Sequence, residues 1–594
     1  MSVVAQIKDA AAKAISDLYK VEIKPADILI NATKPEFEGD YTIVLFAFVK
    51  QLKKSPDALG NELAGYLTAN YPQLFSGFNI IKGFLNLTIA ENYWINFLQS
   101  QYNNPQYGQQ PATGQKIMVE YSSPNTNKPL HLGHLRNNFL GWSVAAILGA
   151  EGNEIVKTCI VNDRGIHISK SMIAWKLYAN GATPETEGKK GDHFVGDYYV
   201  KFNDVYKQQV DELVAAGATK EQAEKDAPIM KAAQQMLVDW EAGKPEVMEL
   251  WQKMNSWVYA GFDETYQRIG TSFDKVYYES NTYLLGKDLV EDGLKKQVFF
   301  QKEDGSVWID LTADGLDEKI VRRRDGTAVY MTQDIGLAVH KYEEYKCDQS
   351  IYVVGDEQNY HFKVLKLIAQ KLGLPSADGI YHLSYGMVEL PSGKMKSREG
   401  TVVDADDLVD EMISIAKQKT EELGKVKDFT AEELKELYEV IGLGALKFFL
   451  LRVDPKKRMV FNPEESIDFH GFTGPFIQYT HARIKSILRK VEDAGVAAET
   501  AKGGDLFPLE KSLIVHLEQF STTISEAATE HDPSKLAIYI FNLAKVFNSF
   551  YTEHSIANAE SKEKKALRLQ LAQLTAQVIH KGMQLLGIKV PERM

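Results

Sequence analysis

The chain has 594 residues, 44% hydrophobic and 25% charged, with a formal net charge of −12 and two cysteines, Cys159 and Cys347. That length allows several domains of roughly 100–200 residues each in an ordinary globular protein. Two distant cysteines exclude a disulfide framework or cysteine-built zinc site and read as small buried hydrophobes, and no run of about 18 apolar residues offers a membrane helix.

The acidic sum argues against a dedicated nucleic-acid binder. Phosphate contacts are local, however, and the window 441–490 holds nine Lys or Arg against four Asp or Glu. A solvated face accounts for such a window equally well.

At the N-terminus, Val4, Ile7, Ala11, Ile15 and Leu18 have the spacing of one helical stripe. There is no uninterrupted apolar stretch of a secretory signal, and Asp9 and Asp17 speak against a transit peptide, so a cytoplasmic location is expected. Residues 1–110 read as helices with a few strands, closing on Gly83-Phe84-Leu85-Asn86-Leu87. The Asn-, Gln-, Pro- and Gly-rich stretch 103–114 reads as a linker.

Strand candidates then alternate with helical patterns, at 116–121, 154–161, 328–331, 350–354 and 380–388. That alternation predicts an α/β class with a mostly parallel, doubly wound sheet. Residues 180–310 read as a helical, charged insertion with no nameable chemistry. From about 410 onward the helical period dominates, at 431–450, 473–494, 509–530, 535–553 and 562–587, which predicts a C-terminal helix bundle.

His131-Leu132-Gly133-His134 lies between the first of those strands and a helix. Free N–H groups and the helix dipole make such a junction an anion site. Two histidines three apart can face one phosphate, and Gly133 lets a flat ring approach the backbone. The ligand implied is a nucleotide; two surface histidines capping a helix are the plainer reading of four residues alone. A second basic loop, Gly393 to Gly400, carries Lys394, Lys396, Ser397 and Arg398, cations suited to charge building on a departing pyrophosphate. Most such loops are solvent-exposed turns.

The two elements together, about 260 residues apart, resemble the "HIGH" and "KMSKS" motifs of class I aminoacyl-tRNA synthetases. Ser122-Ser123-Pro124-Asn125 and Lys128 upstream narrow the resemblance to the arginyl branch. Ser397 stands where the second motif usually has its second lysine; the resemblance gives Lys128 that charge, with Lys394, Lys396 and Arg398 assisting. His131, His134, Lys128 and Lys396 are thus the implied catalytic groups.

Arginine offers a planar fork of donors that never loses its charge, so its pocket needs carboxylates. By resemblance Tyr330, Asp334 and Gln358 bind arginine, and Glu120 and Asn125 hold its ammonium and carboxylate ends. The segment 330–336 is read as ending a strand and opening a helix, where an Asp is otherwise most often an N-cap. His131, Gly133 and His134 contact ATP, Gly355 and Asp356 the ribose, with His361 a lesser candidate. Gly386, Met387 and Val388 would offer backbone groups to the adenine; plain strand-end packing is the alternative.

Further along, Gly474 to Arg483 resembles the opening of the family's "DALR" anticodon-binding domain. Tyr479, His481 and Arg483 are its candidate tRNA contacts, through stacking on unstacked bases, although aromatics on bundle helices are more often core. The resemblance therefore implies three regions. Residues 1–110 form an α+β N-terminal domain that touches tRNA. Residues 111–410 form a Rossmann-like class I catalytic domain carrying the insertion. Residues 411–594 form an all-α anticodon-binding bundle.

The implied activity is ATP-dependent activation of L-arginine and its transfer to the 3′ end of tRNA(Arg), with activation waiting for tRNA. Mg2+ enters with the nucleotide, no protein-held metal is implied, and a cytoplasmic monomer is expected. Rivals are another class I synthetase, a shorter nucleotidylyltransferase sharing HxGH, and a non-catalytic RNA-binding descendant.

Overall fold

In the computed structural model of the protein, residues 2–34, 36–391, 403–422, 424, 428–493 and 505–594 are described. Helix α1 (Val3–Tyr19) is capped by Ser2 and buries Ile7, Ala11 and Ile15 of the predicted stripe, but Val3 is buried rather than half-buried Val4, and Leu18 at the helix end is exposed. It packs on the helix Pro56–Asn70, which in turn lies against a four-stranded antiparallel sheet of β1 (Ile30–Ala32), β2 (Tyr41–Val44), β3 (Phe75–Ile81) and β4 (Phe84–Ile89), ordered β1-β2-β4-β3.

Next come β5 (Lys116–Glu120), α2 (Leu132–Ala150) and β6 (Glu154–Val161), a right-sized crossover unit. The helices α3 (Gly191–Ala215) and α4 (Pro245–Ile269) precede β7 (Lys275–Tyr278). A small antiparallel sheet follows, of β8 (Phe300–Gln301), β9 (Val307–Ile309) and β10 (Lys319–Arg322). Then α5 (Tyr330–Tyr345) leads to β11 (Gln349–Gly355) and β12 (Ile380–Tyr385). The five central strands are all parallel, in the order β12-β11-β5-β6-β7.

The chain leaves β5 toward β6 on one side and later places β11 on the other. A crevice therefore opens at the carboxyl ends of β5 and β11, where doubly wound folds bind ligands. Three expectations are corrected. Residues 328–331 are not a strand, since Ala328 makes only an isolated bridge to Arg322 and α5 begins at Tyr330. The stretch 380–388 breaks after Tyr385, and β13 (Val388–Glu389) pairs instead with β14 (Met459–Val460). Nor is 180–310 one insertion: β7, only four residues long and too short to show a period, belongs to the central sheet.

The remainder is helical: α6 (Ala405–Glu422), α7 (Ala431–Leu451), α8 (Gly474–Asp493), α9 (Pro533–Glu553) and α10 (Lys562–Leu585). This bundle touches both other regions. Glu518 accepts from the Val3 N–H at 2.5 Å, Lys511 pairs with Asp40 at 2.7 Å, and the Ser143 hydroxyl donates to the Leu585 carbonyl at 2.9 Å. Among the described residues no helix is long and apolar enough to cross a membrane.

Candidate active site and tRNA-facing surface

The histidine motif sits where the sequence puts it, and the local folding is a reciprocal cap. His131 is the N-cap of α2 and its Nδ1 accepts from the Gly133 N–H at 3.1 Å; His134 Nδ1 accepts from the His131 N–H at 3.1 Å. Two orphan N–H groups of the helix are thereby satisfied. With both Nδ1 atoms accepting, each neutral ring carries its proton on Nε2 and acts as a donor. Loss of water and the nearby Lys128 charge bring the His131 pKa down to about 3 and hold that of His134 well below its usual range. Helix cap and ligand-facing donor are thus the same residues. A Cβ on Gly133 would press the His131 ring at 3.0 Å.

Both rings border a cavity of about 760 Å³ whose lining includes Ser122, Ser123, Lys128, Gly133, Gly355, Asp356, Met387 and Val388. Ser122 and Ser123 are consecutive left-handed residues (φ 76° and 49°), a strained turn typical of functional loops. The Ser122 N–H donates to Asn137 at 2.5 Å, which fixes that turn against α2.

Arg136, one turn into α2 and fully buried, was not foreseen from sequence. Its guanidinium donates to the carbonyls of Gly386 (2.7 Å), Met387 (3.4 Å), Pro455 (3.2 Å) and Lys457 (2.8 Å), tying the cavity's far wall to α2. That corrects Gly386 as an adenine contact. Its carbonyl is held by Arg136, its N–H donates to Pro455, and a Cβ would meet the Lys457 carbonyl carbon at 2.6 Å. Met387 and Val388 line the cavity in its place. Lys394, Lys396, Ser397 and Arg398 lie outside the described residues.

A second cavity, of about 200 Å³, brings together Asn125, Arg164, Glu279, Tyr330 and Asp334. Tyr330 and Asp334 share a face of α5 at the i, i+4 spacing. Asp334 is not an N-cap; Val329 occupies that position. Glu279, directly after β7, is a second carboxylate that the sequence did not single out. Burial pushes its pKa up to about 7, against the pull of the Arg164 guanidinium.

Other candidates sit elsewhere. Glu120 is buried and ion-paired with buried Lys341, so its carboxylate is already neutralised within the fold and does not line this cavity. Gln358 is exposed on the short turn after β11 and borders neither cavity. His361 turns toward Asp334, with Nε2 2.7 Å from Oδ2, rather than toward the nucleotide cavity.

A third cavity, of about 430 Å³, lies on the bundle between α8 and the C-terminus, lined by Tyr479, Arg483, Tyr551 and Arg593 among others. Arg483 stacks over Tyr479 at 4.9 Å and bonds Asn548. His481 is a correction. Two residues from Tyr479, it is turned about 200° around the helix; it is buried, with Nδ1 3.0 Å from the Pro591 carbonyl.

The family profile "tRNA synthetases class I (R), catalytic domain" matches residues 97–462. The "DALR anticodon binding domain" matches 477–594, and the "Arginyl tRNA synthetase N terminal domain" matches 5–89. The chain is 54% identical over 581 residues to an arginine–tRNA ligase of Bacteroides thetaiotaomicron, covering 97% of each. It is 52% identical to one from Amoebophilus asiaticus, covering 99% of each. In fold it is similar to the Thermus thermophilus arginyl-tRNA synthetase, with TM-score 0.78, 24% identity and 99% of both chains covered.

Proposed function

The chain belongs to the arginyl branch of the class I aminoacyl-tRNA synthetases, and on that premise we propose how its own residues carry the ATP-dependent ligation of arginine to tRNA. The observation that carries the reading is a pair of cavities at the carboxyl ends of the parallel strands. One is ringed by imidazole donors, Lys128 and strand ends; the other holds two carboxylates, Asp334 and Glu279.

ATP occupies the larger cavity. His131 and His134 donate through Nε2 to phosphate oxygens, Gly355 and Asp356 meet the ribose, and Met387 and Val388 flank the adenine. Arginine lies in the smaller cavity, its guanidinium between Asp334 and Glu279 with Tyr330 at the mouth. Asn125 holds its carboxylate end.

That carboxylate attacks the α-phosphorus in line; the bond to the β-phosphate oxygen breaks and pyrophosphate leaves with the electron pair. Lys128, aided by Lys394, Lys396 and Arg398, stabilises the charge on it. A ribose hydroxyl of the tRNA's 3′ end then attacks the arginyl carbonyl and AMP departs. No acid–base triad is required, because the work is positioning and charge stabilisation.

Magnesium is taken as part of the MgATP substrate. The one grouping of three acidic or imidazole ligands among the described residues, Asp192, His193 and Asp406, has the Lys190 ammonium 2.7 Å from Asp406 and borders neither cavity. The donor set thus already contains its cation. Tyr479 and Arg483 stack on anticodon bases, the N-terminal region contacts tRNA, and the enzyme works as a cytoplasmic monomer. We take 1–110, 111–410 and 411–594 as its working regions.

Incubation with MgATP, bulk tRNA and each of the twenty amino acids tests the reading. Charging with arginine alone is expected; charging with another amino acid, or with none, overturns it.

A further inference from the structure

Helix α3, in the segment between β6 and β7, lines neither substrate cavity, yet it packs on the catalytic motif. Gly196 faces the backbone of the Lys128–Pro129 pair so closely that a Cβ would meet Pro129 Cδ at 2.8 Å. A cavity of about 240 Å³ is lined jointly by His193 and Asp197 of α3, by Lys128 and His131, and by Asp404.

At the N-terminal end of α3, Lys190 reaches Asp192 at 3.1 Å, Asp406 at 2.7 Å and the Thr265 hydroxyl of α4 at 2.5 Å. His193 Nε2 lies 3.2 Å from Asp404 and 3.4 Å from Asp406. Those two carboxylates push the His193 pKa up to about 10, so the ring is a cation at neutral pH.

The segment that Lys190 bonds and His193 faces is itself bonded to both sides of His131. The Leu132 N–H donates to the Val403 carbonyl at 3.1 Å, and the Ala405 N–H donates to the Leu130 carbonyl at 3.0 Å. Leu132 N–H is one of the orphan donors at the start of α2. The last link from α3 to the phosphate-facing helix end is therefore Val403–Asp406.

We propose that α3 is a brace for the phosphate end of the active site, in which His193 and Lys190 are positioning residues that act through Asp404 and Asp406 on the His131 turn. The brace rests on the arginine-ligase reading of His131 and Lys128. It gives the segment between β6 and β7 a function: holding transition-state groups in register without touching substrate.

The test uses the full-length enzyme with tRNA and MgATP. It compares His193→Ala, His193→Gln and Asp404→Ser, which keeps an N-cap oxygen for α6, together with the His193→Ala/Asp404→Ser double variant. Misplacement of catalytic groups by about 1 Å costs up to about 10²-fold in rate. His193→Ala is expected to lose kcat on that scale with little change in the arginine KM, and His193→Gln, which restores a donor, to recover most of it.

The double variant should be within about twofold of the worse single variant, because the two residues act as one unit. Multiplicative losses, a glutamine variant as poor as alanine, or an unchanged kcat in His193→Ala would overturn the brace. Should His193→Ala fail to fold, Gly196→Ala presses Lys128–Pro129 from the same helix, and an unchanged kcat there overturns it too. A wild-type enzyme that does not charge arginine sinks the underlying reading instead.

Discussion

His131 and His134 are neutral donors, and that decides which groups can shape the pH profile. With the His131 pKa near 3, neither ring titrates in a working range. Glu279 does, near 7. A guanidinium favours its ionised form, so binding lowers its pKa and expels a proton. Arginine affinity is thus full above that pKa and is lost as pH falls through it, by about tenfold in KM per unit. Glu279→Gln should raise the arginine KM and flatten that dependence; a KM that stays acid-sensitive in the variant removes Glu279 from the pocket.

Asp334→Ala should cost roughly 3 kcal/mol of arginine binding, the low end for a broken buried pair, because Asp334 is 44% exposed before substrate covers it. An unchanged arginine KM would refute the pairing. Lys128→Ala should depress kcat far more than ATP affinity; equal losses would make its part ground-state binding. His131, His134, Lys128, Tyr330 and Asp334 line the two cavities, and they could be singled out in the sequence because their motifs are local. Glu279 was not, since a lone carboxylate after a four-residue strand carries no pattern. Glu120 was misread because Lys341, its partner, lies 221 positions away.

Among the elements, α2 shows what periodicity hides. It is buried on nearly every side, and nothing in its period singles out Arg136. That residue is a buried clamp on four carbonyls. Arg136→Lys keeps the charge but loses the fork, leaving buried acceptors unpaired at about 1–3 kcal/mol each. A lower Tm and a higher ATP KM are expected together; loss of Tm alone would mean the clamp does not shape the nucleotide wall.

The C-terminal tail is held in the same manner. Lys447, Gln478, His481 and Arg489 meet the carbonyls of Gly587, Lys589, Pro591 and Glu592 at 2.7–3.1 Å. These bonds place Arg593 beside Tyr479 and Arg483. Deletion of residues 590–594 should weaken tRNA binding in a filter assay, and unchanged affinity would place the RNA elsewhere. Helix existence was readable from the 3.6-residue period, whereas which face meets the tail was not, because that depends on contacts more than 100 residues apart.

Across the whole molecule, the crevice at the carboxyl ends of β5 and β11 brings segments from residue 122 to residue 458 into one cavity. The parallel sheet and the helical C-terminal region could be foreseen from the alternation of periods. The placement of β7, and hence of Glu279, could not, because tertiary pairing rather than local propensity makes that strand.

The proposed selectivity rests on two carboxylates, Asp334 and Glu279, holding one guanidinium. Citrulline keeps arginine's shape but replaces the charged fork with a neutral urea. The direct measurement is therefore kcat/KM for tRNA charging with arginine and with citrulline. A site built around buried partners for a donor fork should prefer arginine by about 10⁴-fold or more. Citrulline charged within about 200-fold of arginine, the range a shape-only pocket gives, would contradict that selection.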